Sequence, residues 1–103
     1  MVSLEKRDPK LAAAFSEFEE SVTGYGLTAR RGCTERYPTP NYSVATFHTE
    51  PLPAKGNKQL IEQLEADGFS IFKFWYTDCS TYRRSMRFQA EKAYVIPREE
   101  ITK

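Results

Sequence analysis

Five aromatic side chains fall in the run Phe-Ser-Ile-Phe-Lys-Phe-Trp-Tyr from Phe69 to Tyr76, and Arg83, Arg84 and Arg87 follow within a dozen positions. The chemistry these residues support is recognition. Guanidinium groups stack on aromatic faces, and Trp, Tyr and Arg dominate the energetics of protein interfaces. The same set meets the needs of single-stranded nucleic acid, which asks for stacking rings beside cations and gains roughly 1 to 3 kcal/mol per stacked base. Trp75, Tyr76, Lys73, Arg83 and Arg87 would supply that chemistry.

Covalent chemistry has fewer candidates. Cys79 next to Asp78, with His48 as the single imidazole of the chain, is the one set from which a thiol nucleophile and its base could be assembled. No glycine-rich elbow accompanies it, and free thiols in or beside strands behave as small hydrophobes. Cys33, Cys79 and His48 lack the paired C-x-x-C spacing of a zinc site. Gly24-Tyr25-Gly26 follows a helical segment instead of opening one, the wrong context for a phosphate loop. Glu19 with Glu20, and Glu62 with Glu65, are expected on solvent-facing helix sides as solubilising charges. No catalytic residue, metal or cofactor is expected.

The elements that must position the aromatic run follow from periodicity. Asp8-Pro9 has the form of a helix start, an acid at the N-cap and proline at the first helical position. Leu11, Ala14, Phe15, Phe18 and Val22 then recur on one stripe, which predicts a helix over 8–22 that ends in Thr23-Gly24-Tyr25-Gly26. Two extended segments, Leu27 to Tyr37 and Tyr42 to Thr49, flank Pro38-Thr39-Pro40-Asn41. A linker over 50–56 leads to a second helix, 57–67, with Asn57 as its cap, Leu60, Ile61 and Leu64 buried and Gly68 as its stop. Phe69 to Thr77 and Tyr82 to Ile96 read as strands joined by Asp78-Cys79-Ser80-Thr81. In the last of these, Met86, Phe88 and Ala90 alternate with Arg83, Ser85, Arg87, Gln89 and Glu91.

The expected architecture is a single α+β domain over residues 1–103, with two helices on one face of a mostly antiparallel four-stranded sheet. Its element order, αββαββ, is that of a circularly permuted ferredoxin-like sandwich, and the second helix offers a right-handed crossover to a parallel strand. No apolar run approaches the roughly 18 residues of a membrane span. Met1 to Pro9 carries Glu5, Lys6, Arg7 and Asp8 where a leader would be apolar. Cytoplasmic residence with free thiols is expected, and no membrane partner.

Charge separates by element although the formal net charge is only +1. The first helix sets Lys10 against Asp8, Glu17, Glu19 and Glu20, net −3, and the second sets Lys58 against Glu62, Glu65 and Asp67, net −2. Residues 27–49 set Arg30, Arg31 and Arg36 against Glu35, net +2, and residues 69–92 set Lys73, Arg83, Arg84, Arg87 and Lys92 against Asp78 and Glu91, net +3. An acidic helical layer and a basic open sheet face result. An unpaired ammonium is costly in a core, so Lys73 is expected to sort its strand: Phe72 and Phe74 inward, Ile71, Lys73 and Trp75 outward. Arg83, Arg87 and Arg30 then surround Trp75.

These residues predict a small non-catalytic regulatory or inhibitory binding protein. It docks on a protein partner, or on its own copy, through Trp75, Lys73, Arg83, Arg87, Arg30 and Ile71 on the aromatic and basic sheet face. RNA or single-stranded DNA on the same face is the alternative, although Met86-Arg87-Phe88-Gln89-Ala90 lacks the RNA-recognition consensus. In the competing reading, Trp75 is covered by the tail, Ile96 to Lys103, or by the Pro38 to Asn41 loop.

Overall fold

The computed structural model describes residues 8–98. Helix α1 (Pro9–Thr23) is followed by strands β1 (Ala29–Thr39), β2 (Tyr42–Thr49) and β3 (Leu52–Pro53), helix α2 (Lys58–Ala66), and strands β4 (Ser70–Thr77) and β5 (Arg84–Pro97). The chain is α+β, with every strand pairing antiparallel. No helix among the described residues is long and apolar enough to cross a membrane.

α1 starts as its sequence dictates: the Asp8 carboxylate accepts a hydrogen bond from the Leu11 N–H at 3.1 Å, and proline occupies the first turn. Asn57 stands at the N-cap of α2, but its amide donates to the Pro53 carbonyl at 2.7 Å and makes no cap bond.

Both helices end in one device. Gly26 (φ 79°) and Gly68 (φ 98°) take the left-handed conformation. Leu27 N–H then reaches back to the Val22 carbonyl, and Phe69 N–H to the Leu64 carbonyl. This reversal drops Leu27 and Phe69, both buried, onto the core beside Val22 and Leu64, also buried. A Cβ at Gly68 would meet open space, so Gly68→Ala should cost only its backbone strain, about 1 kcal/mol. Chemical denaturation is the check, and an unchanged midpoint would refute the left-handed stop.

Among the described residues the sheet has five strand segments where four were expected. β5 is the centre, with β2 and then β1 on one side and β4 on the other. Phe88 pairs with Leu52 of β3 and with Lys73 of β4, so β3 lies on the β2 side of β5 and continues the β2 lane. Pro51, without an N–H, interrupts that lane. Thr49 bridges the gap: its hydroxyl accepts from the Ala90 N–H at 3.0 Å and its carbonyl from the Gln89 side chain at 2.9 Å. The segment read as linker over 50–56 thus holds a short strand. The second helix makes no adjacent parallel pair, because β3 and β4 run the same way on opposite sides of β5.

One core joins both helices to one sheet face. Leu11, Phe18 and Val22 of α1 and Ile61 and Leu64 of α2 cluster with Ala45, Phe47, Phe88, Ala90 and Ile96. Ala45 and Phe47 are buried within β2, while Val44 and Thr46, which alternate with them, are half-buried.

Candidate functional site: the β4–β5 arm

Strand register decides where the aromatic run points. Ile71 pairs with Ala90, Lys73 with Phe88 and Trp75 with Met86, whereas Phe72 pairs with Gln89, Phe74 with Arg87 and Tyr76 with Ser85. Directly paired residues share a sheet face, so Ile71, Lys73 and Trp75 lie on the helical side with Phe88 and Ala90. Phe72, Phe74 and Tyr76 lie on the open side. This reverses the orientation expected from the sequence. The desolvation argument assumed cover over the whole inner face, but the helices stop short. Ile71 packs against the core, while Lys73 is exposed and Trp75 is 58% exposed. An ammonium on the inner face carries no desolvation cost where nothing lies above it.

Past Ile71 the two strands therefore run on as an arm. β5 has fourteen residues, about 46 Å at strand rise, in a molecule measuring 57 × 32 × 23 Å. Both faces of the arm are aromatic and cationic. On the helical side the Arg84 guanidinium lies 5.0 Å from the Trp75 ring centroid. On the open side Arg87 lies 4.1 Å over Tyr76, and the Phe72 and Phe74 rings stack at 5.5 Å. The Arg87 Nε is buried and has no hydrogen-bond acceptor among the described residues.

The tip is an ordered turn. Asp78 N–H donates to the Arg83 carbonyl at 2.8 Å, and the Asp78 carboxylate accepts from the Ser80 N–H and hydroxyl at 2.8 and 2.7 Å. The Ser80 hydroxyl bond, foremost, holds the Asp78 carboxyl below its ordinary value. Tyr82, 83% exposed, takes a positive φ of 58°, a conformation that non-glycine residues rarely adopt.

The expected site residues are divided by this geometry. Trp75 and Lys73 share the helical side of the arm, Arg87 the open side, and Arg83 is exposed at the tip next to the start of β5. Ile71 marks the base. Arg30 stands apart on β1, three lanes from β4, about 14 Å, and faces Glu50 at 3.9 Å. The cation on Trp75 is Arg84, which sequence reasoning left out; its alternation with Met86 and Phe88 was the available signal. The acid and base layers are likewise mixed, since the open face carries Glu91 opposite His48 and the helical face carries Lys73 and Arg84. The tail residues 99–103, offered as a cover for Trp75, lie outside the described residues.

The thiol set is not assembled. His48 pairs with Glu91, whereas Cys79 follows the Thr77–Arg84 pair, seven residues along β5 or about 23 Å away. Both cysteines are unbridged, with Cys79 exposed and Cys33 half-buried. Burial, foremost, raises the Cys33 thiol pKa, aided by the Glu35 charge. Among the described residues no cluster of His, Cys, Asp or Glu could hold a metal. No family model, curated protein or solved structure matches this chain.

Proposed function

We propose that this chain is a small non-catalytic binding protein that regulates or inhibits a protein partner by docking through the β4–β5 arm. The observation that carries this reading is the concentration of exposed apolar surface there: of the six exposed large hydrophobic side chains among the described residues, Phe72, Trp75, Tyr76 and Tyr82 belong to the arm. A cluster of this kind on a small soluble domain marks a binding surface. Lys73, Arg83, Arg84 and Arg87 against Asp78 give the arm a net charge of +3, which suits an acidic partner surface. The αββαββ backbone, with β3 taken as the tail of β2, supports a circularly permuted ferredoxin-like assignment, and the unbridged thiols favour a reducing, cytoplasmic setting.

Protein is favoured over RNA or single-stranded DNA because one face of Trp75 and one of Tyr76 are already stacked by the chain's own guanidinium groups. Carboxylates of a partner protein can pair with those groups without disturbing the stacks, whereas a base must compete for the ring. With a photo-crosslinker at Thr77, capture from the native host should yield a discrete protein adduct. Trp75→Ala with Tyr76→Ala should weaken its binding about 30-fold, a shift of about 2 kcal/mol. Unchanged capture would exclude the arm. Salt-steep binding of labelled single-stranded RNA or DNA, weakened by Arg84→Ala and Arg87→Ala, would replace the reading with the nucleic-acid one.

A further inference from the structure

The two outer strands of the sheet are built in opposite ways. β1 carries Arg30, Arg31, Arg36, Gly32 and Pro38, and its register against β2 is broken between Ala29 and Cys33 and again between Arg36 and Thr39. Those are the devices by which natural proteins prevent an edge from pairing with another chain. β4 has none of them except Lys73: its eight residues, Ser-Ile-Phe-Lys-Phe-Trp-Tyr-Thr, contain no proline or glycine and hold an unbroken register with β5. Among the described residues β5 is the only strand paired with it. An aromatic edge with a regular register and a single lysine as its safeguard is a template for strand addition.

We infer that the occupant of this edge is a second copy of the chain, paired antiparallel along β4 about a two-fold axis at Phe74. The sequence of the strand selects both partner and register. A continuous sheet requires paired residues to share a face, which allows only registers that differ by two residues. With Phe74 opposite Phe74, Lys73 of each copy lies opposite Trp75 of the other, Phe72 opposite Tyr76, and Ile71 opposite Thr77. Each ammonium meets an indole, and the open face gains a row of six rings. A two-residue shift one way sets Lys73 directly against Lys73, a destabilising like-charge pair. A shift the other way trims the paired segment to residues 73–77. The helices also permit the chosen register, because Ile71, at the covered base, aligns with Thr77 near the bare tip of the other copy, so the helical layers fall at opposite ends.

This inference goes beyond docking on a partner: the dimer builds a platform twice as long, flanked by Arg87 of both copies. Light scattering on the isolated protein at about 100 µM should give a mass near twice the 11.9 kDa of the chain. Trp75→Lys, which sets a second ammonium against Lys73 of the other copy, should weaken association at least 10-fold, whereas Trp75→Glu should retain it. With Cys33 and Cys79 replaced by serine, Phe74→Cys should cross-link to itself under mild oxidation and Lys73→Cys should not. A strictly monomeric mass, or cross-linking through Lys73→Cys in preference to Phe74→Cys, would overturn the assignment. Since no partner is present in these measurements, their failure leaves the docking reading to its own capture assay.

Discussion

Phe18→Ala is expected to remove about 4 kcal/mol of stability, more than any other single truncation in the core. Phe18 is fully buried and is the ring through which separate parts of the fold meet. It stacks on Phe47 of β2 at 5.7 Å, and lies 6.3 Å from Phe69 at the end of α2 and 6.4 Å from Tyr94 of β5. Alanine forfeits the transfer free energy of the ring and leaves a cavity lined by three stiff aromatics that cannot collapse into it. For a domain of this size the loss corresponds to a fall in Tm of about 20 °C. Phe18→Leu, which refills most of the volume, should cost less than half as much. Far-UV circular dichroism is the appropriate probe, because the single tryptophan, Trp75, is 58% exposed on the arm and reports little of the core. A loss below about 1 kcal/mol would mean that α1 does not seal the sheet through this residue.

The reasons Phe18 was legible in the sequence are the reasons Trp75 was misplaced. Helical periodicity is local, so Leu11, Phe18 and Val22 could be assigned to one buried stripe without knowledge of the fold, and β2 was bounded by its prolines at both ends. The glycines closing each helix were visible too, although Gly26, not Gly24, takes the left-handed turn of α1. Orientation of β4 needed a quantity that no local pattern carries, the extent of its cover. Nine residues of α2 span about 13 Å, whereas eight residues of β4 span about 26 Å. Half of β4 therefore has no helix above it, and Lys73 lost its value as a marker of the outward face. Arg84 was missed for a related reason, since its ring partner depends on the register across the Asp78 to Arg83 turn. Least legible was Arg98, whose partners come from α1, β1 and β2, up to ninety residues away.

Arg98→Ala is expected to cost about 3 kcal/mol at neutral pH, and the loss should shrink in acid. The guanidinium forks onto both oxygens of Asp8 at 3.0 and 2.9 Å, bonds Glu35 Oε2, and donates through Nε to the Ser43 hydroxyl at 3.1 Å; that hydroxyl in turn donates to Glu35. One side chain thereby ties the start of α1, the inner side of β1 and the start of β2 to the end of β5. Arg98 is only 18% exposed, with Asp8 and Glu35 at 25% and 20%, so the ions are largely shielded from water. The Arg98 hydrogen bond, against the opposing pull of burial, holds the Asp8 carboxyl below its ordinary value. Burial pushes Glu35 upward, but the bonds from Ser43 and Arg98 outweigh it and leave that carboxyl lowered as well. A carboxyl with a depressed folded-state pKa contributes stability above its unfolded value, roughly pH 4, and loses it as pH falls through the folded value. Without the guanidinium the sign reverses: two neighbouring carboxylates repel at neutral pH and are relieved by protonation. The two proteins should therefore converge in urea unfolding as pH is lowered from 7 to 3. Arg98→Lys should recover only part of the difference, because an ammonium cannot fork onto one carboxylate while holding a second. Adding Glu35→Gln to Arg98→Ala should recover about 1 kcal/mol at neutral pH, and a gap that stays constant across the pH range would show that the network is idle.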